Sequence, residues 1–214
     1  MAYGGRRLAV ADFWGAGLLG REVSAAGASV VRNAGEGRPM FSRLTLPLGP
    51  VGFQVRRGED AGVRLRLDAN ATVWLLSALA DNRLKLDAGA SFSAGVPVFR
   101  APGRRPVSDD SAGYSLGVAL PGVIVLAGDA DWRGRDDVLA HERVHVLQYD
   151  FGQEIWGDPL EAWLVNKLPT GRAVIRWIRP SILYPEFAYS VQRSLHLSWQ
   201  ERPWEMEAEY LAGR

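Results

Sequence analysis

The chain of 214 residues has no cysteine. No disulfide can staple it, and any metal site must be built from nitrogen and oxygen donors. The compartment stays open, because secreted bacterial proteins also lack cysteine. An excess of charge of one sign is missing too. The 25 Lys and Arg stand against 24 Asp and Glu, so no basic surface argues for nucleic acid. No stretch reaches the roughly 20 apolar residues of a spanning helix. Arg6-Arg7 precede Leu8-Ala9-Val10-Ala11 like a short signal region, but Asp12 interrupts the run and Arg21-Glu22 close it, so no signal peptide is expected. Cytoplasm is the default reading, with association to the cell envelope left open. Histidine is scarce, with three in the chain.

Two of those three fall in Val138-Leu139-Ala140-His141-Glu142-Arg143-Val144-His145-Val146-Leu147-Gln148-Tyr149. Residues four apart share a helix face, so His141 and His145 can aim two imidazoles at one metal. Glu142 lies about 100° further round the helix, where it can reach a water on that metal as general base. Val138, Leu139, Val144, Val146 and Leu147 supply apolar faces. Asp136 and Asp137 suit the helix start, where negative charge favours the dipole. Gly152 is expected to end this helix.

The rest of the chain divides into three parts of one α+β domain. Residues 1–39 read as a helical and loop segment, with a helix over Leu8–Val31 weakened by Gly15, Gly17 and Gly20. Residues 40–128 read as an antiparallel sheet. Val63, Leu65, Leu67, Ala69, Ala71, Val73 and Leu75 alternate with Arg64, Arg66, Asp68, Asn70, Thr72 and Trp74, which predicts one long half-buried strand. A second alternating run over Leu84–Val98, across Asp81-Asn82, predicts its hairpin partner. Phe41–Leu48, Val51–Arg57, Tyr114–Leu120 and Val123–Ala127 are shorter strands, the last two divided by a turn at Pro121-Gly122. Alternation this long fits a sheet packed on helices, or a barrel strand facing lipid. About six strands are too few for a barrel, which needs at least eight. Val123–Ala127, just ahead of the motif, is the candidate edge strand for pairing with a peptide.

Residues 129–214 read as a helical metal-binding part. Pro159–Leu168 follows Asp158 as N-cap, Arg172–Ile178 is a short helix, and Pro185–Leu197 another. Arg172, Arg176, Arg179 and Trp177 beside Ile175 and Ile178 form a basic amphipathic face, so peripheral membrane contact is left open. Most of the eight Trp lie in this part.

A catalytic zinc takes three protein ligands and water, and the motif supplies two. Gln148 and Phe151 stand where a His-x-x-Gly-x-x-His continuation would place Gly and the third His, so that class is excluded. An acidic residue on a later helix remains. Glu205 and Glu209, in Pro203-Trp204-Glu205-Met206-Glu207-Ala208-Glu209-Tyr210-Leu211, share one helix face. Two carboxylates there need a positive partner, while Glu207 points elsewhere. Glu161, Glu154 and His196 are the rival third ligands.

With Leu139-Ala140-His141-Glu142-x-x-His145-x-x-Gln148 followed by Glu205-x-x-Ala208-Glu209, the chain resembles the gluzincin type of zinc metallopeptidase. The second element is similar to that of the membrane prenyl-protein endopeptidases and their bacterial relatives. The first is similar to uncharacterised bacterial domains. The resemblance covers the two motif helices. It implies a zincin-like helical layer packed with the N-terminal sheet and one zinc per chain. His141, His145 and Glu205 would be the ligands, Glu142 the base, and Glu209 a ligand-orienting residue where those families have Asp. The implied reaction is hydrolysis of a peptide or protein substrate by metal-activated water. Arg143, Tyr149, His196 and Tyr210 are candidates to stabilise the oxyanion. The alternatives are an inactive metal-binding interaction domain, or an envelope β protein whose motif is coincidental. Oligomeric state is not readable.

Overall fold

The computed structural model describes residues 16–58, 61–103, 105–106, 114–128, 135–168, 170–181, 190–191, 194–195 and 202–212. Most of Pro185–Leu197, where a helix was expected, with His196 and most of the connector after Gly128, lies outside the described residues. What is described is a mixed α+β fold with two four-stranded sheets.

Helix α1, Ala16–Gly35, opens it. A Cβ on Gly17 would lie 1.7 Å from the Ser93 carbonyl oxygen. This glycine lets the helix cross its neighbour closely, which outweighs its low helix propensity. One turn on, the buried Arg21 donates from Nε to Asp150 at 2.6 Å and from Nη1 to the Gly95 carbonyl at 3.0 Å. The ion pair fastens α1 to the motif helix.

Strands β1 (Arg43–Leu48), β2 (Val51–Arg56) and β3 (Gly62–Asp68) form an antiparallel meander. Its alternation matches the sequence, but its sides are reversed. Thr45, Gln54, Arg66 and Asp68 face the helices: Thr45 Oγ1 donates to Glu154 at 3.1 Å, and Arg66 pairs with Asp158 at 3.5 Å. Val63, Leu65 and Leu67 face outward and are 66%, 51% and 43% exposed. The expected long strand also stops at Asp68. Its carboxylate accepts from the Ala71 N–H at 2.9 Å and starts helix α2, Ala69–Ala80. An Asp N-cap ahead of Ala- and Leu-rich sequence favours helix over strand.

The second run is likewise not one long strand. It forms β4 (Lys85–Leu86), helix α3 (Ala88–Ala94) capped by Asp87 on the Ala90 N–H, and β5 (Val98–Ala101). Beyond these lie the two-residue pair β6 (Arg105–Pro106) and β7 (Tyr114–Ser115), then β8 (Gly117–Leu120) and β9 (Val123–Ala127). The second sheet runs β4-β5-β9-β8 and is mixed rather than antiparallel, because β5 and β9 run parallel. Val123–Ala127 is therefore an interior strand, buried at every position. The edge role expected of it falls to Gly117–Leu120. The core lies on both faces of this sheet. Val98, Ile124 and Leu126 pack on Val138, Leu139 and Val146, while Phe99, Val123 and Val125 pack on Ala78.

Helix α4, Arg135–Gly152, carries the motif and continues through a π turn, Gln153–Gly157, into α5, Asp158–Val165. Gly152 does not break the chain's helical course. Asp158 is not an N-cap: its backbone is helical, and its buried carboxylate takes Arg179 Nε at 2.6 Å and Arg32 Nη1 at 3.2 Å. After α6 (Gly171–Trp177), strand β10 (Ile178–Arg179) pairs parallel with β3. Helix α7, Pro203–Ala212, docks on α4 through Val144, Ala208 and Leu211. Among the described residues no helix is long and apolar enough to cross a membrane.

Candidate metal centre

Docking α7 on α4 brings Glu205 over the motif histidines. His141 Nε2 lies 3.1 Å from Glu205 Oε2, His145 Nε2 3.3 Å from the same oxygen, and the two Nε2 atoms 3.0 Å apart. The three donor atoms fall within 4.8 Å of one another. Two nitrogens and one carboxylate oxygen on a shared centre suit zinc. Glu205 is buried, and the two histidines are nearly so.

Gln148 fixes the geometry. Its Nε2 donates to the Trp204 carbonyl and to Glu207 Oε2, each at 3.0 Å. Its Oε1 is thereby left to accept from His145 Nδ1 at 2.7 Å. With Nδ1 the donor, the lone pair of a neutral His145 sits on Nε2, facing the centre. The same amide ties α7 to α4. His141 Nδ1 is buried without a hydrogen-bond partner among the described residues.

The charges answer one another. Burial disfavours the His145 imidazolium. The hydrogen bond to Glu205, the charges of Glu142 and Glu205, and Gln148 overcome this and raise its pKa to about 9. Burial also works against the Glu205 carboxylate, but hydrogen bonds from His141 and His145 hold its pKa at about 2. The protein keeps the ionised Glu205 carboxylate beside the His145 imidazole, which is drawn toward positive charge. A divalent cation satisfies the same arrangement.

Glu142 is buried beside this cluster and is not one of its converging donors. Burial and the nearby Glu205 raise its pKa, against the pull of His145, His141 and the Ala119 N–H. Its side chain lies across β8. A Cβ on Gly117 would come within 2.8 Å of Glu142 Cγ and 2.9 Å of Oε1. Strand β8 and Glu142 are thus in direct contact.

The other expected residues go elsewhere. Glu161 is buried and accepts from the Ser181 N–H at 2.9 Å. Glu154 binds Arg32, Arg179 and Thr45. Both serve an ionic cluster away from the histidines. Glu209 makes no hydrogen bond or ion pair with His141, His145 or Glu205 among the described residues. The acid that joins the ligand support is Glu207, which was expected to point away. Arg143 donates to the Ser93 carbonyl at 2.9 Å, and Tyr210 is 61% exposed. Tyr149 packs edge-on against Trp204 with centroids 5.5 Å apart. The roles of Gln148, Glu207 and Gly117 were missed. Only Gln148 carried a signal, its spacing of three from His145 on the same helix.

Comparisons with protein-family models, with curated proteins and with solved structures find no match.

Proposed function

We propose that this chain is a zinc-dependent peptide hydrolase binding one zinc per chain, with a zincin-like helical layer packed on the mixed sheet. The observation that carries it is the convergence of His141, His145 and Glu205 within 4.8 Å, with a buried Glu142 alongside. The fit rests on the donor set and on Gln148, which turns the His145 Nε2 lone pair inward. Bound zinc supplies a Lewis acid that lowers the pKa of water.

The chain's own groups do the rest. Glu142, its pKa raised by burial, accepts a proton at its carboxylate as water attacks the peptide carbonyl. It then returns that proton to the leaving amine. Gly117–Leu120 is paired on one side, with β9. Its other side can align an extended peptide by strand addition, next to Glu142. The substrate class is a peptide or protein segment in extended form.

The test is zinc stoichiometry and peptide cleavage for wild type, Glu205→Ala and Glu142→Gln. About one zinc per chain is expected in wild type and Glu142→Gln, and much less in Glu205→Ala. Cleavage should fall by about 10²–10⁴-fold in Glu142→Gln. Wild-type protein that takes up no zinc even after its addition would sink the reading.

A further inference from the structure

A second polar site lies on the inward face of the meander and shares no residue with the histidine cluster. It is a cavity of about 210 Å³ lined by Arg32, Arg43, Arg56, Arg64, Arg66 and Arg176, against the two carboxylates of Asp158 and Glu161. Those carboxylates are already engaged. Asp158 takes Arg179, Arg32 and Arg66, and Glu161 takes the Ser181 N–H. The strand register then sets like charges face to face. Arg43 on β1 stands directly opposite Arg56 on β2, an arrangement that destabilises a sheet unless something negative intervenes.

Among the described residues the local partners leave donors of Arg43 and Arg66 unsatisfied. Arg43 Nη2 reaches Glu36 at 3.2 Å, and Arg56 Nε reaches Gln54 at 2.9 Å. The Nε atoms of Arg43 and Arg66 are buried without a hydrogen-bond partner among the described residues. A buried cationic donor left unpaired is unfavourable. The local charges act in the same sense. Burial, then the like charge of Arg32, lowers the Arg43 pKa to about 10, and burial lowers that of Arg66.

We infer that this cavity is a binding site for a phosphate-type oxyanion, which would complete the hydrogen bonding of the Arg43 and Arg66 guanidiniums and separate Arg43 from Arg56. Planar guanidiniums on neighbouring strands match tetrahedral oxyanions with paired donors. The phosphate can belong to a soluble molecule or to a lipid headgroup.

The experiment is thermal unfolding of the full chain with inorganic phosphate and with pyrophosphate, against chloride at matched ionic strength. Wild type, Arg43→Gln and Arg56→Gln are compared. At 100 times Kd, Tm in wild type should rise by about 5–10 °C. Both variants should lose that rise, and folded Arg56→Gln should melt no lower than wild type in chloride, because a cross-strand like-charge pair has been removed. A second arm measures co-sedimentation with phosphatidic acid vesicles and with phosphatidylcholine vesicles. Binding to the former alone, displaced by pyrophosphate, assigns the headgroup source. A Tm rise without vesicle binding assigns the soluble one. No rise beyond chloride together with no vesicle binding overturns the inference, as does an equal rise in both variants.

Discussion

Removing Gln148 tests whether the histidine pair is held for a metal or merely packed. The side chain is 3% exposed, accepts from His145 at 2.7 Å and donates to Trp204 and Glu207 at 3.0 Å each. In Gln148→Ala, the His145 Nδ1–H and the Trp204 carbonyl both lose a partner. Each buried group left unsatisfied costs about 1–3 kcal/mol, so a loss of about 2–4 kcal/mol is expected after partial relaxation. That corresponds to a Tm lower by about 5–12 °C for a domain of this size. Loss of a group that orients a ligand histidine weakens metal affinity by about 10–100-fold.

The second variant separates the two effects. Gln148→Glu keeps an acceptor for His145 but loses the donor to Trp204 and faces Glu207 with like charge. It should lose stability much as Gln148→Ala does, yet hold zinc within a few-fold of wild type. Chelator competition gives the zinc affinities, and calorimetry of the metal-free proteins gives Tm. Gln148→Ala binding zinc as tightly as wild type would refute the reasoning. So would equal losses of zinc affinity in both variants.

Gly117→Ala places a methyl where Glu142 Cγ now lies 2.8 Å away, and it should lower the cleavage rate by about 10-fold or more, with zinc stoichiometry measured alongside and expected to be unchanged. Glu22 has both carboxylate oxygens buried without a hydrogen-bond partner among the described residues, and burial raises its pKa from 4.5 to about 7. A carboxyl whose folded pKa is raised binds its proton more tightly when folded, so stability falls as pH rises from about 4.5 to about 7. The Glu22 residue as a whole is half-buried, so solvent screening limits the loss to about 1–2 kcal/mol. Glu22→Gln should flatten that slope and melt higher than wild type at pH 8, as urea titrations at pH 5 and pH 8 would measure.

The motif helix was legible because its chemistry needs a fixed spacing. His141, Glu142 and His145 occupy the places a helix predicts, and Glu205 was reachable from the need for one more donor. Gln148 was in plain view, but its partners, Trp204 and Glu207, lie 56 and 59 residues away. A tertiary contact of that kind leaves no local trace. Ala69–Ala80 and Ala88–Ala94 were misread for a different reason. Ala-rich sequence alternates as readily at period two as at 3.6, and Asp68 and Asp87, taken as polar strand positions, are helix caps. Val123–Ala127 was placed correctly as a strand, but its neighbours are set by the parallel crossover from β5. Only the fold decides that.

The meander shows what periodicity carries and what it omits. Alternation says that two faces of a strand differ. It does not say which face is inside. The usual inference assigns the apolar face inward, because burying apolar area stabilises. Here the inward face meets the ion cluster of Arg32, Glu154, Asp158 and Arg179, with Thr45 donating to Glu154 and Arg66 pairing with Asp158. Such an interior is worth little over a well-packed apolar one, because desolvation offsets most of the attraction. It does demand that every charge find its opposite. Around Glu154 and Asp158 that demand is met. Around Arg43 and Arg66, among the described residues, the cations outnumber the anions, and that local surplus is the ground for the proposed anion site.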